Sequence, residues 1–156
     1  MLPALHFPAI DARTKSEGKR LLIFDGIRKK YVALTPEEWV RQHLIHFLIA
    51  EKKYPATLIS VETPLKYALL DKRSDVLVND RNGQPLMLAE CKAPEIPITQ
   101  KVFEQLAIYN LAIQAPCLMA TNGLQHYCLS AATDSSPACF LDDVPVYEDL
   151  LIMKKS

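Results

Sequence analysis

Two runs of β-prone residues on either side of an Asn-Gly pair constrain the fold of this chain more than any other feature. Residues 73–79 (RSDVLVN) and 86–92 (LMLAECK) are rich in Val, Leu and Met, and Asn82-Gly83 lies between them. An Asn-Gly pair between two such runs is a strong short-range signal for a β-hairpin. The sequence therefore predicts two neighbouring antiparallel strands.

Three charged residues occupy this hairpin where a buried strand would not be expected to carry them. Side chains in a strand alternate between faces, so Glu90 and Lys92 share a face, and antiparallel pairing brings Asp75 close to Glu90. Two carboxylates ~4 Å apart repel by ~4 kcal/mol at an effective dielectric of ~20. A lysine relieves part of this repulsion, whereas a divalent cation such as Mg²⁺ relieves more. The alternative is an ordinary ion-pair cluster at a strand end, which the spacing alone favours.

The rest of the pattern predicts an α/β chain. Residues 9–34 are β-prone around a turn at Asp25-Gly26 and predict an N-terminal β-hairpin. A helix is expected over 35–54, because Thr35 is a typical N-cap, Pro36 suits the first helical position and apolar residues recur at helical spacing. The later segments are expected as strands over 57–65, 67–80 and 85–92, a helix over 100–114 after Thr99, strands over 117–121 and 126–130, and a strand and a final helical turn within 138–153.

Composition bounds the class of protein. A chain of 156 residues, 49% apolar and 23% charged, is typical of one globular domain. Its 18 basic and 18 acidic residues give no overall attraction to nucleic acid or to anionic membranes, so a polyanion site must be a local patch. No apolar run approaches the ~18 residues of a membrane span. The N-terminus does not resemble a signal peptide and the four cysteines form no CxxC pair, so we expect reduced thiols in a cytoplasmic protein.

Five segments in a fixed order resemble a known family. They are TPEEWVRQHLI, RSDVLV, LAECKAP, QLAIYN and ATNG, and they fall within roughly residues 30 to 130. With the motif Asp75…Glu90-Cys91-Lys92 they resemble the PD-(D/E)xK nuclease superfamily, and more narrowly the N-terminal nuclease domain of type I restriction enzyme R subunits and its small stand-alone relatives. Ser74 stands where the superfamily usually has a proline.

The resemblance implies a fold and a division of the chain. The fold is α/β, with a restriction-endonuclease-like core of order α-β-β-β-α-β around a central mixed sheet. This core would occupy residues 35–156 as a single globular unit. Residues 1–34 would form an N-terminal β-hairpin extension.

The resemblance also implies roles for four residues of the hairpin. Asp75 and Glu90 resemble the two metal-binding carboxylates, and the backbone carbonyl of Cys91 would add a third oxygen ligand for Mg²⁺, which Mn²⁺ could replace. Lys92 resembles the catalytic lysine, which orients or deprotonates the attacking water and stabilises charge on the phosphate.

Two helices are implied to contribute further site residues. Gln105 and Tyr109 match a QxxxY element and lie four apart on one helical face; from the residues alone, a tyrosine packed on the sheet beside a polar neighbour is the preferred interpretation. The family also places an acid on the first helix. Glu38 is explained by a capping box with Thr35, whereas Glu37 falls on the stripe that must face the sheet, so we predict Glu37 as the extra site acid. Arg41, one turn further on, could contact phosphate, but an ion pair with Glu37 is preferred.

The implied function is that of a metal-dependent DNA endonuclease of the type I R-subunit N-terminal kind, which leaves a 5′ phosphate. The chain has no Gly-x-x-x-x-Gly-Lys-Ser/Thr phosphate-binding loop, so it is expected to act alone, as a homodimer, or with a separate motor or specificity protein. A non-catalytic nucleic-acid-binding or assembly module that retains the fold is the alternative, and RNA remains open as a substrate. The cations that could reach a nucleic-acid backbone are Lys101 and the N-terminal group Lys15, Lys19, Arg20, Arg28, Lys29 and Lys30.

Overall fold

A small antiparallel sheet opens the chain. The structure is a computed structural model that describes residues 2–64 and 73–155. Strands β1 (Thr14–Glu17), β2 (Arg20–Asp25) and β3 (Lys30–Ala33) pair in the order β1-β2-β3. The N-terminal β-hairpin predicted around Asp25-Gly26 is therefore confirmed, and β1 extends it to three strands.

The second sheet is mixed and has six described strands in sequence order. Its strands are β4 (Ile59–Pro64), β5 (Arg73–Asn79), β6 (Pro85–Cys91), β7 (Cys117–Thr121), β8 (His126–Ser130) and β9 (Cys139–Phe140). The β6–β7 pair is parallel and the other neighbouring pairs are antiparallel, so the prediction of a central mixed sheet is confirmed. A 3-10 turn over Ala56–Leu58 delays the start of β4 to residue 59. Of the strand expected over 67–80, residues 67–72 lie outside the described residues.

Three helices accompany the sheet, namely α1 (Pro36–Ala50), α2 (Gln100–Ile113) and α3 (Tyr147–Lys155). The hydroxyl of Thr35 accepts the Glu38 backbone N–H at 3.0 Å, which confirms Thr35 as the N-cap of α1. The prediction that α1 continues to residue 54 is wrong, because the chain turns into the left-handed region at Lys53 (φ 64°). The final helical turn is likewise longer than expected, since α3 has nine residues.

The helices cover the two faces of the mixed sheet. Val40, Leu44 and Leu48 are spaced four apart on α1, are 0% exposed, and pack with α3 against one face. On the opposite face, α2 packs through residues such as Leu106 against Leu88. Burying one such side chain stabilises the fold by roughly 1.5–3 kcal/mol. Packing on both faces therefore holds β5 and β6 in place, and the start of β5 lies beside the end of β6 at one end of the sheet.

The N-terminal segment is tied to the rest of the chain by hydrogen bonds. The His6 N–H donates to the Gly123 carbonyl at 2.7 Å, and the Trp39 indole N–H donates to the Pro3 carbonyl at 3.0 Å. These bonds cross the predicted division between residues 1–34 and 35–156, which stays a prediction. Among the described residues, no helix combines the length and the apolar character needed to cross a bilayer.

Candidate active site

The register of the central hairpin brings the charged residues of β5 and β6 together. Val76 pairs with Ala89, and Leu77 pairs with Leu88. Continuing this register by one residue sets Asp75 opposite Glu90. The antiparallel pairing predicted from the Asn-Gly turn is therefore confirmed.

Asp75 is a buried carboxylate with both oxygens in hydrogen bonds. Its Oδ1 accepts a hydrogen bond from Arg41 Nη2 at 2.9 Å, and its Oδ2 accepts the Cys91 backbone N–H at 2.7 Å. The second bond links the side chain of Asp75 in β5 to the backbone at the end of β6. Asp75 is consequently held in one orientation by both an ion pair and the backbone.

Glu90 and Lys92 form an ion pair in which Lys92 Nζ lies 3.3 Å from Glu90 Oε1. The pKa of Glu90 is raised to about 7. Burial is the largest cause and the negative charge of Asp75 acts in the same direction, whereas Lys92 lowers the pKa. Burial and the charge of Asp75 therefore destabilise the charged form of Glu90, and Lys92 offsets only part of this effect.

The end of β6 is held by the neighbouring strand. The Lys92 backbone N–H donates to the Thr121 carbonyl at 2.9 Å. The side chain of Asn122, directly after β7, donates to the Ile96 carbonyl at 2.8 Å and so fixes the loop that follows Lys92. Asn122 lies in the ATNG segment, so sequence resemblance had pointed to it without indicating this contact.

Arg41 on α1 is the central cation of the site. It is 4% exposed, and its guanidinium lies 2.6 Å from Glu38, 2.9 Å from Asp75 and 3.1 Å from Glu37. Burial lowers the pKa of Arg41, but the charges of Glu38 and Asp75 outweigh burial and raise it. The structure therefore shows the ion pairing preferred from the sequence, with four carboxylates rather than one, since Glu62 also lies within reach of Arg41.

Both acids at the start of α1 meet at Arg41. Glu37 has a side chain that is 46% exposed, and burial followed by the charge of Asp75 raises its pKa, while the positive charges of Arg41 and Lys92 lower it. Glu37 thus lies within electrostatic reach of the site, and its role as the extra site acid stays a prediction.

The explanation of Glu38 by a capping box alone is wrong. The Glu38 residue is 5% exposed, and its carboxylate accepts hydrogen bonds from Arg28, Arg41 and Gln42. The Thr35 N–H instead donates to the Ala33 carbonyl. The i+3 and i+4 spacing of Arg41 and Gln42 after Glu38 is a signal in the sequence that could have indicated these contacts.

Arg28 also belongs to this network, contrary to the expectation that it reaches nucleic acid. Its side chain is 15% exposed, forms an ion pair with Asp25, and lies 2.8 Å from Glu38 and 3.4 Å from Glu62. Asp25 is fully buried, and its pKa is lowered because hydrogen bonds from Arg28 outweigh the effect of burial. No local spacing could indicate the contact between Arg28 and Glu38, because it depends on how the N-terminal sheet folds back.

Glu62 shows an unusual backbone directly opposite Asp75. In the β4–β5 ladder, Val61 pairs with Val76 and Thr63 pairs with Ser74, whereas Glu62 has a left-handed φ of 53°. Its carboxylate lies 3.9 Å from Arg41 as well as 3.4 Å from Arg28. A left-handed non-glycine residue inside a strand is strained, and such strain is concentrated at functional sites.

A groove beside Lys92 contains the two predicted residues of α2. Lys92, Lys101, Gln105 and Tyr109 line this open groove, which has a volume of about 610 Å³. Tyr109 is buried and packs in the core under α2, as the interpretation from the residues alone expected. The structure therefore places Gln105 and Tyr109 beside Lys92, and their part in any reaction stays a prediction.

Asp75 and Glu90 are the carboxylates that would hold a Mg²⁺ ion at this site. Among residues 2–64 and 73–155, no three His, Cys, Asp or Glu side chains are placed to hold a metal. Mg²⁺ nevertheless binds proteins through one or two carboxylates and keeps several waters, and Asp75 with Glu90 supplies that number. The charges around the site also leave an excess of three acids over bases: Asp25, Glu37, Glu38, Glu62, Asp75 and Glu90 against Arg28, Arg41 and Lys92.

Comparison with known proteins identifies the family. The family model described as type I restriction enzyme R protein N terminus (HSDR_N) matches residues 36–145, which include α1, α2 and the described strands of the mixed sheet but not the N-terminal sheet. A search of curated proteins gives no match. The family match spans well over half of the chain and includes each residue of the hairpin site. The chain therefore belongs to the type I restriction enzyme R protein N-terminal family.

Proposed function

We propose that this chain is a Mg²⁺-dependent DNA endonuclease with a PD-(D/E)xK core, and that Asp75, Glu90 and Lys92 hydrolyse phosphodiester bonds. The observation that supports it is the hairpin register, which sets Asp75 opposite Glu90 and leaves Lys92 ion-paired beside them. Membership of a restriction-enzyme family supports DNA as the substrate.

The residues of the hairpin divide the chemistry among them. Asp75, Glu90 and the Cys91 carbonyl would hold Mg²⁺, for which Mn²⁺ could substitute; the bound ion supplies stabilisation of negative charge on the phosphate and the leaving oxygen. Lys92 holds the attacking water and donates a hydrogen bond to a phosphate oxygen. The water oxygen bonds to phosphorus as the bond to the 3′ oxygen breaks, and the proton of the water passes to that oxygen. The products are a 5′ phosphate and a 3′ hydroxyl.

The surrounding residues position these groups. Arg41 and the Cys91 N–H each bond one oxygen of Asp75, and a carboxylate oxygen has a second lone pair available for another ligand. Glu37 adds an acid at the edge of the site. Gln105 and Tyr109 would position the DNA backbone along the groove beside Lys92. Cutting of both strands would need a homodimer or a separate partner protein.

The experiment is a plasmid-nicking assay with purified protein. Supercoiled DNA is incubated in Mg²⁺ or Mn²⁺ with wild-type protein, Asp75→Asn, Lys92→Ala and the surface control Lys53→Ala. We expect the two site variants to lose ~10²–10³-fold in rate, a range typical of losing a group that stabilises charge in the transition state, and the control to match wild type. Equal nicking by every variant, or no nicking by wild type, overturns the proposal. A structured RNA added as a second substrate separates RNA from DNA hydrolysis.

One observation favours a second candidate, a non-catalytic nucleic-acid-binding or assembly module. Both oxygens of Asp75 are already hydrogen-bonded, so a metal ion has to share each of them with a donor. In this case calorimetry with Mn²⁺ gives no binding heat, while DNA or protein binding survives Lys92→Ala. Binding of Mn²⁺ that disappears in Asp75→Asn excludes this candidate.

A further inference from the structure

The chain is neutral overall but its charges are divided unevenly. Residues 13–30, which contain β1 and β2, carry seven basic and two acidic side chains. The remaining residues therefore carry eleven basic and sixteen acidic side chains. A local surplus of five positive charges on a small sheet creates the kind of patch that attracts a polyanion.

Most of these cations face solvent. Arg28 and Asp25 are turned inward and neutralise each other, whereas Arg13, Lys15, Lys19, Arg20, Lys29 and Lys30 are exposed. Glu17 is the remaining acid of this stretch. The exposed charged residues of this stretch are consequently six cations and one acid, and we refer to these six cations as the basic patch.

Two members of the basic patch lie over aromatic rings. The Arg13 guanidinium is 4.4 Å from the centre of the Phe24 ring, and Lys15 Nζ is 4.2 Å from the centre of the Tyr31 ring. The two rings contact each other at 5.3 Å between centroids. Such contacts hold a cation in place without neutralising its charge. Arg13 and Lys15 are therefore fixed on the sheet and remain available to an anion.

The same sheet adjoins the site. The turn between β2 and β3 contains Arg28, which contacts Glu38 and Glu62, and these two carboxylates contact Arg41 beside Asp75. Lys29 and Lys30 follow directly on this turn. The N-terminal sheet is thus joined to the site through the ion pairs of Arg28, and its basic patch lies near the site.

We infer that the N-terminal sheet is a docking surface for the phosphate backbone of duplex DNA. The sheet lies outside residues 36–145, which the family model matches. It supplies the attraction that a neutral chain with an acidic remainder otherwise lacks. The inference rests on the proposed function in taking DNA as the ligand, but it concerns binding and not cleavage.

The test measures binding without cleavage. A labelled 30-base-pair duplex is titrated with full-length protein in EDTA and followed by fluorescence anisotropy from 50 to 300 mM salt. The variant Arg13→Gln/Lys15→Gln, whose two cations lie on the same face of the sheet, is compared with Lys53→Gln/Arg81→Gln, which has the same loss of charge at exposed positions outside the sheet. Circular dichroism verifies that each variant is folded.

Each lost phosphate contact lowers the slope of log K against log salt by about 0.9. We expect the Arg13/Lys15 variant to bind at least fivefold more weakly at 50 mM salt, with a slope smaller by about 2, and the control to bind within twofold of wild type. Equal loss in both variants, unchanged binding in the first, no duplex binding by wild type, or tighter binding of an RNA through the same two cations overturns the inference. Because no cleavage is measured, an inactive Asp75 site leaves this result intact.

Discussion

Replacing Arg41 with methionine removes the guanidinium that Glu38, Asp75 and Glu37 share, while it keeps an unbranched side chain in a buried position. Two of those carboxylates, Glu38 and Asp75, are themselves buried and lie 2.6 and 2.9 Å from the guanidinium. The substitution therefore leaves two buried acids without their common cation. Arg28 and Gln42 still donate to Glu38, whereas Asp75 keeps only the Cys91 N–H, so the larger part of the loss falls on Asp75.

The expected loss follows from the burial of this network. Removing one partner of a buried ion pair costs ~3–5 kcal/mol, because the remaining charge stays desolvated. For a domain of this size one kcal/mol corresponds to roughly 2–4 °C in Tm, so Arg41→Met should unfold roughly 6–20 °C below wild type.

The measurement is thermal and urea unfolding at pH 7 in EDTA, with Arg81→Met as the matched control. Arg81 is an exposed residue of the turn between β5 and β6, where a substitution should change the free energy of unfolding by no more than ~0.5 kcal/mol. Arg41→Lys should recover part of the loss, since it restores the charge without the planar fork. If Arg41→Met unfolds within about 1 kcal/mol of wild type, the reasoning that the guanidinium holds this site together is refuted.

Three further predictions concern backbone strain, pH and packing. Lys53 and Glu62 both have a left-handed φ, of 64° and 53°, which glycine adopts without strain. We expect Lys53→Gly to stabilise the protein by roughly 0.5–1 kcal/mol with unchanged nicking. We expect Glu62→Gly to lower nicking without loss of stability, and equal nicking by the two variants would contradict this. Burial lowers the pKa of His126, so as the pH falls the unfolded chain binds a proton before the folded chain does, and the free energy of unfolding falls below pH ~6.5. Urea unfolding from pH 7 to 5 should therefore show a smaller decline in the free energy of unfolding for His126→Gln than for wild type. Equal declines would be inconsistent with this. Gly123→Ala should lower the free energy of unfolding by roughly 1 kcal/mol more than Gly83→Ala. Both glycines have positive φ, but only the new Cβ at position 123 would lie 2.7 Å from a side chain. Equal Tm values for the two variants would show that this side chain moves freely.

The hairpin was predictable because its signals are local. Asn82-Gly83, the two β-prone runs and the alternation of side chains together determine the pairing and the face on which each acid lies. The N-cap at Thr35 was predictable for the same reason. The approach of Asp75 to Glu90 then follows from the register alone.

The network around Arg41 was only partly predictable. Its contacts with Glu37 and Glu38 lie within one turn of a helix, but its contact with Asp75 spans 34 residues and that of Arg28 with Glu38 spans ten. Such contacts depend on how the elements pack. The left-handed conformation of Glu62 also had no signal in the sequence, since strained residues contradict local preference by definition.

A crystal soaked in Mn²⁺ and measured for anomalous scattering tests the central claim most directly. The account predicts an anomalous peak between the carboxylates of Asp75 and Glu90, beside the carbonyl of Cys91, that disappears in Asp75→Asn. An ordered site in which Arg41 still bonds Asp75 and no anomalous peak lies beside Glu90 would contradict it.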